Sequence, residues 1–119
     1  MNDALDAALR TADELELETR GRQTGRTHRV TVWFAYDPPF VWLRTDRERD
    51  WFLNLERDPH CRIHVGAVSA DAMRTAVYDD PASLRRAVEL WRAKYGAEWV
   101  ADWYFEHGRA VVQLRLTSP

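Results

Sequence analysis

The chain has 119 residues, 45% of them hydrophobic and 30% charged, with a formal net charge of -2 at pH 7. That length and balance suit one soluble globular domain spanning residues 1–119 and exclude wholesale disorder. The small negative charge argues against a surface built for nucleic acid, and no apolar run approaches the ~20 residues of a membrane helix. The opening Met1-Asn2-Asp3-Ala4-Leu5-Asp6 carries acids where a secretory signal has bases, so the expected location is cytoplasmic. Cys61, the single cysteine, excludes an intrachain disulfide framework and a multi-cysteine metal site.

In chain order, Asp3 to Arg10 can form a short helix with Leu5 and Leu9 on one face. Glu14 to Thr19 alternates acid and apolar residues, the period of a strand with one wet face. Arg20 to Thr27 is a polar turn with two glycines, and His28 to Tyr36 reads as one continuous strand rich in β-branched and aromatic residues. Asp37-Pro38-Pro39 turns the chain into a short strand, Phe40 to Leu43, making a hairpin. Thr45-Asp46-Arg47-Glu48 has the spacing of a capping box, which predicts a helix from there to about Asp58, stopped by Pro59. His60 to Gly66 alternates again, with Cys61, Ile63 and Val65 facing one way and His60, Arg62 and His64 the other. A further strand is expected between Ala70 and Tyr78. Pro81 opens a helix carrying Leu84, Ala87, Val88, Trp91 and Tyr95 at apolar spacing, interrupted at Gly96. A short helix from Glu98 to Glu106 and a strand from Arg109 to Leu116 complete the reading. Six short strands with inserted helices predict a mainly β, antiparallel sheet or small barrel.

Three segments could carry chemistry. Arg20 to Arg29 holds Arg20, Arg22, Arg26, Arg29 and His28 with no acid, and its glycines let the backbone approach an anion. Arginine forks suit phosphate or carboxylate oxygens, although a solvated basic hairpin fits the pattern equally. On the expected helix, Arg47, Trp51 and Asn54 lie four and three residues apart and share a face, where an indole beside an amide could pack on a ligand or serve the core. Asp46, Glu48 and Asp50 crowd the start of that helix and make its terminus a poor phosphate site. His60-Cys61-Arg62-Ile63-His64 has Cys-x-x-His spacing, but a strand turns Cys61 and His64 to opposite faces, so no metal is expected. The aromatic C-terminal stretch, Trp91, Tyr95, Trp99, Trp103, Tyr104 and Phe105, reads as core, subunit interface or one wall of a planar-ligand pocket.

Glu18-Thr19-Arg20-Gly21-Arg22-Gln23-Thr24-Gly25-Arg26-Thr27-His28 running into Trp33-Phe34, followed by Trp51-Phe52-Leu53-Asn54-Leu55-Glu56-Arg57-Asp58-Pro59, resembles the deazaflavin-dependent nitroreductase family of the flavin/deazaflavin oxidoreductase split β-barrel superfamily. The likeness runs from about Glu14 to Leu116. It implies a six-stranded split barrel and coenzyme F-420, a deazaflavin that carries hydride to an electron-poor acceptor such as a quinone, enone or nitroaromatic. By position it implies that Arg22, Gln23, Thr24 and His28 line the cofactor phosphate, completed by Trp51 and Asn54, with Arg26 a further cofactor-binding candidate that could compensate for a missing charge. Arg44, Thr45 and Arg47 would lie beside the ring, with Tyr104 near the acceptor as a candidate catalytic residue. Gln23 stands where members often have lysine or arginine, and His28 where many have arginine. Those departures keep two rivals open: FMN on the same barrel, and a binding module for an anionic small molecule. The expected partners are a small-molecule electron acceptor and, given open sheet edges and six tryptophans, a second copy in a homodimer.

Overall fold

The computed structural model describes residues 3–96 and 109–117. Its helices are α1 (Asp3–Thr11), α2 (Asp50–Arg57) and α3 (Pro81–Tyr95). Its strands are β1 (Glu14–Arg20), β2 (Thr27–Trp33), β3 (Ala35–Asp37), β4 (Phe40–Asp46), β5 (His60–Val65), β6 (Val68–Tyr78) and β7 (Arg109–Leu116). The strands form one antiparallel sheet in the order β2-β1-β5-β6-β7-β4-β3, which curls into a half-barrel. The curl brings β2 near β4, although the two share no ladder.

Strand alternation sorts the side chains into two apolar layers. Leu15 and Leu17 of β1, Val41 and Leu43 of β4, Ile63 and Val65 of β5, and Val112 and Leu114 of β7 face the inside of the curl. They pack on Leu5 and Leu9 of α1 and on Phe52 and Leu55 of α2. Each such buried side chain is worth about 1.5–3 kcal/mol over exposure. The intervening Trp42 of β4 and Val111 of β7 point the other way and meet Ala87 and Trp91 of α3. Helix α3 starts where the sequence indicates: Asp80 accepts from the Ser83 amide (3.0 Å), and Pro81 follows.

Two boundaries differ from the sequence reading. The expected strand His28 to Tyr36 is broken at Phe34, which makes seven strands rather than six among the described residues. Phe34 is fully buried, and its backbone leaves the ladders for α3. Its N–H donates to Tyr95 Oη (3.1 Å), and its carbonyl accepts from Lys94 Nζ (2.9 Å). Burial draws the Lys94 ammonium, stacked over the Phe34 ring, down to about 8. The capping box at Thr45 to Glu48 does not form. Thr45 is buried in β4 opposite Ala110, with its hydroxyl on the Asp46 carbonyl (2.7 Å). Asp46 instead accepts from the Glu48 amide in a turn, and α2 begins at Asp50 with no side-chain cap. Full-length pairing of β4 with β7 outweighs the ~1 kcal/mol of one cap. The short helix expected between Glu98 and Glu106 lies outside the described residues.

On the outer face, a polar chain crosses four strands. Glu18 accepts from Arg29 Nε (3.1 Å) and His64 Nε2 (3.1 Å), while His64 Nδ1 meets Ser69 Oγ at 2.7 Å. The His64 bond and then the Arg29 bond hold the Glu18 carboxyl below its ordinary 4.5, against the opposing effect of burial. A depressed carboxyl stabilises the fold above its unfolded pKa, and that contribution disappears as the pH falls through the folded value. Stability of the wild type will therefore decline from about pH 4.5 downward. Urea melts across that range will show a shallower decline for Glu18→Gln. Identical slopes would mean that the Glu18 contacts do not persist in solution.

Candidate functional site

The loop between β1 and β2 is a tight structure rather than a floppy basic turn. Gly21 N–H donates to the Arg26 carbonyl (2.7 Å), Gly25 N–H to the Gly21 carbonyl (2.9 Å), and the Arg26 amide to Thr24 Oγ1 (3.2 Å). Gly25 sits at φ +76°, a left-handed conformation that favours glycine. Gly21 faces His28 so closely that an added Cβ would lie 3.0 Å from His28 Nε2 and 3.1 Å from the Arg26 carbonyl.

Helix α2 anchors this loop from inside. Asn54 is buried, 4% exposed, and both its amide oxygen and its amide nitrogen are bonded. Its Oδ1 accepts from the Arg22 backbone N–H (3.2 Å) and from Arg22 Nη1 (2.9 Å), while Nδ2 donates to Thr19 Oγ1 (3.1 Å). The other fork of Arg22 reaches Asp50 Oδ1 at 3.3 Å. Asn54 thus positions Arg22 and offers no free polar atom of its own. Trp51, one turn earlier on α2, is also buried but reaches the surface of the cleft.

The result is a cleft of about 530 Å³ between the loop and α2. Arg22, Gln23, Thr24 and His28 line it from the loop side, and Trp51 and Asn54 from the helix side. A second cleft of about 280 Å³ adjoins it, sharing Val30, Arg49 and Trp51. This second space is lined by Arg44 and Thr45 of β4 and by the indoles of Trp33, Trp51 and Trp91. Trp33 is held flat against Tyr95, with ring centroids 4.3 Å apart and planes 13° from parallel.

Eight of the ten residues expected to hold the cofactor therefore line two adjoining clefts. Arg26 and Arg47 are not among their linings. Arg47 precedes α2 instead of riding on it, pairs with Asp79 (2.8 Å) and lies over the Phe52 ring. Because α2 starts only at Asp50, the expected shared face of Arg47 with Trp51 and Asn54 does not exist. Tyr104 lies outside the described residues. Sequence reasoning missed Thr19, Arg49 and Asp50 as lining residues and Trp33 as a wall of the second cleft, whereas it offers Trp91 as core or as one wall of a planar-ligand pocket. Thr19 had a usable signal, a polar residue at an inward-facing position of an alternating strand. Burial pushes the Cys61 thiol up to about 12, the direction that disfavours the thiolate. Among the described residues, no group of three His, Cys, Asp or Glu side chains is arranged to hold a metal ion.

The fold is shared with proteins of varied use. The chain superposes on an F420 reductase with a TM-score of 0.78 at 16% identity, covering 99% of this chain and 97% of the other. HutZ, the heme storage protein from Vibrio cholerae, matches with a TM-score of 0.76 at 15% identity, covering 98% and 89%. General Stress Protein 26 from Bacillus anthracis matches at 0.72 with 10% identity, covering 93% and 84%. Identities this low establish the fold alone. No curated protein matches the sequence. The model of one family, described as F420H(2)-dependent quinone reductase, matches residues 2–102, a span that contains both the arginine loop and the Trp51–Asn54 helix. This chain belongs to the F420H(2)-dependent quinone reductase family.

Proposed function

We propose that the joined clefts bind coenzyme F-420 and that the protein passes hydride from the reduced deazaflavin to a quinone-type acceptor. The observation that carries this reading is the continuity of the two clefts: a guanidinium held by a buried amide at one end and three indoles at the other. An elongated cofactor with an anionic tail and a planar ring has that distribution of chemistry. Arg22, Gln23, Thr24 and His28 would hold the phosphate, and Arg44, Thr45 and Trp51 would border the ring. The deazaflavin supplies the hydride chemistry when bound. The chain's own work is to bind, orient and keep water out. Arg22 reads the anion, Asn54 keeps Arg22 aimed, and the tryptophans exclude solvent from the ring space. Tyr104 is assigned to the acceptor side as the group that orients the acceptor or supplies a proton. A homodimer belongs to the same reading, because β2 is an outer strand of the sheet and exposes Val30 and Trp33.

Titration with F-420 and with FMN, followed by fluorescence quenching, tests the cofactor. Saturable micromolar binding of F-420 is expected, with Arg22→Ala weakening it at least about tenfold, since a hydrogen bond to a charged group is worth ~1.5–3 kcal/mol. Arg26→Ala and Arg47→Ala should change it less than about twofold, because both residues stand outside the clefts. Tighter saturable binding of FMN would transfer the assignment to FMN. Absence of binding by either would leave a non-catalytic anion-binding module. Reduced F-420 mixed with menadione then tests the reaction, which must run faster than the protein-free control.

A further inference from the structure

The cation that heads the first cleft is already matched to an acid. Arg22 Nη2 pairs with the Asp50 carboxylate at 3.3 Å, and Arg22 Nη1 lies 3.5 Å from the Asp50 carbonyl. Arg22 cannot swing away, because its backbone N–H and Nη1 are both held by Asn54. Asp50 is the solvent-facing partner: its side chain is 88% exposed while that of Arg22 is 30% exposed. Both line the same cleft. The remaining guanidiniums of that cleft are matched as well. Arg29 faces Glu18 (3.1 Å) and Glu16 (3.5 Å), and Arg49 faces Asp46 (3.5 Å). Among the described residues, Asp50 is thus the one acid in a lining that holds three arginines, and each of those arginines has a carboxylate within 3.5 Å, which lowers the positive field an entering anion meets.

We infer that Asp50 sets the charge of the anion accepted here, favouring a singly charged phosphodiester over a doubly charged phosphate monoester. The inference rests on the cofactor reading above and makes Asp50 the residue that discriminates between its two candidates. FMN ends in a monoester carrying about −1.5 to −2 at neutral pH. The phosphate of F-420 is a diester with a single charge. An entering anion takes the Arg22 fork and leaves the Asp50 carboxylate alongside it. Repulsion from that carboxylate grows with the charge of the phosphate group seated beside it and is weakened by salt.

The test compares wild type with Asp50→Asn, both first shown to melt normally. Each is titrated with FMN and with F-420 at about 50 mM and about 500 mM salt. Each is also titrated with inorganic phosphate and with dimethyl phosphate at about pH 8, read from the amide shifts of Gln23 and Thr24. The expected result is FMN bound about fivefold tighter by Asp50→Asn at low salt, with F-420 changed less than about twofold. Inorganic phosphate should gain over dimethyl phosphate in the same sense, and both gains should shrink at high salt. Equal gains for both charge classes, or no gain, overturn the role of Asp50. If neither cofactor binds but the phosphates still discriminate, the cofactor reading fails and the role of Asp50 stands.

Discussion

Replacing Asn54 with alanine is expected to cost both stability and ligand affinity. The substitution removes three hydrogen bonds at once from a site only 4% exposed. It leaves the buried Thr19 hydroxyl without the amide it accepts from, and the Arg22 backbone N–H without an acceptor. A buried polar group stripped of its partner costs about 1–3 kcal/mol, with charged groups at the upper end. A loss of about 2–3 kcal/mol in urea melts is expected, a large fraction of the ~5–15 kcal/mol total of a typical domain. Released from Oδ1, the Arg22 fork can follow Asp50 toward solvent, so cofactor affinity should fall at least about tenfold, or ~1.4 kcal/mol. Thr19→Val is the informative companion, because it disturbs the buried end of the network and leaves both Arg22 bonds in place. It should cost about 1 kcal/mol of stability with affinity nearly unchanged. If Asn54→Ala binds ligand as wild type does, Arg22 is placed by something other than α2.

Trp91→Ala is expected to give the largest loss of stability. Trp91 is fully buried and, with Trp42, is one of the two tryptophans of the second apolar layer, which also holds Ala87 and Val111. Truncation of a buried tryptophan costs about 3–5 kcal/mol through lost transfer energy and the cavity left behind. The consequence extends past α3. Lys94 and Tyr95, at the end of the same helix, hold the backbone of Phe34 at the β2–β3 break. Loosening α3 therefore loosens the edge of the ring-lined cleft, whose wall includes Trp33 and Trp91. Chemical denaturation should place the midpoint far below that of the wild type, with Trp91→Phe intermediate. A shift under about 1 kcal/mol would show that α3 does not pack on the sheet as described.

The sequence reading succeeded where the signal is local. Alternation in β1 and β5 assigns Leu15, Leu17, Ile63 and Val65 to the core, because a strand exposes every second residue. The apolar spacing of α3 likewise points to Ala87 and Trp91 as its buried face. It failed where a distant segment outbids a local preference. Thr45 to Glu48 satisfies a capping box on spacing alone, yet β7 takes Thr45 and Asp46 into a ladder. The run His28 to Tyr36 has strand composition throughout, yet Tyr95 and Lys94, about sixty residues later, take the Phe34 backbone.

The same division holds for the site. Residue types and their order along the chain were enough to single out the arginine loop and the Trp51–Asn54 pair, because those groups carry their chemistry wherever they lie. Whether each arginine faces a cleft or an acid was settled by folding. The direction of Arg47 depends on where α2 begins, which the β4–β7 ladder decides. The neutralisation of Arg22 depends on Asp50, 28 residues away in sequence and 3.3 Å away in space. Periodicity reports which side of an element is buried, whereas the partner of a charge is chosen by chain segments that meet only after the sheet has curled.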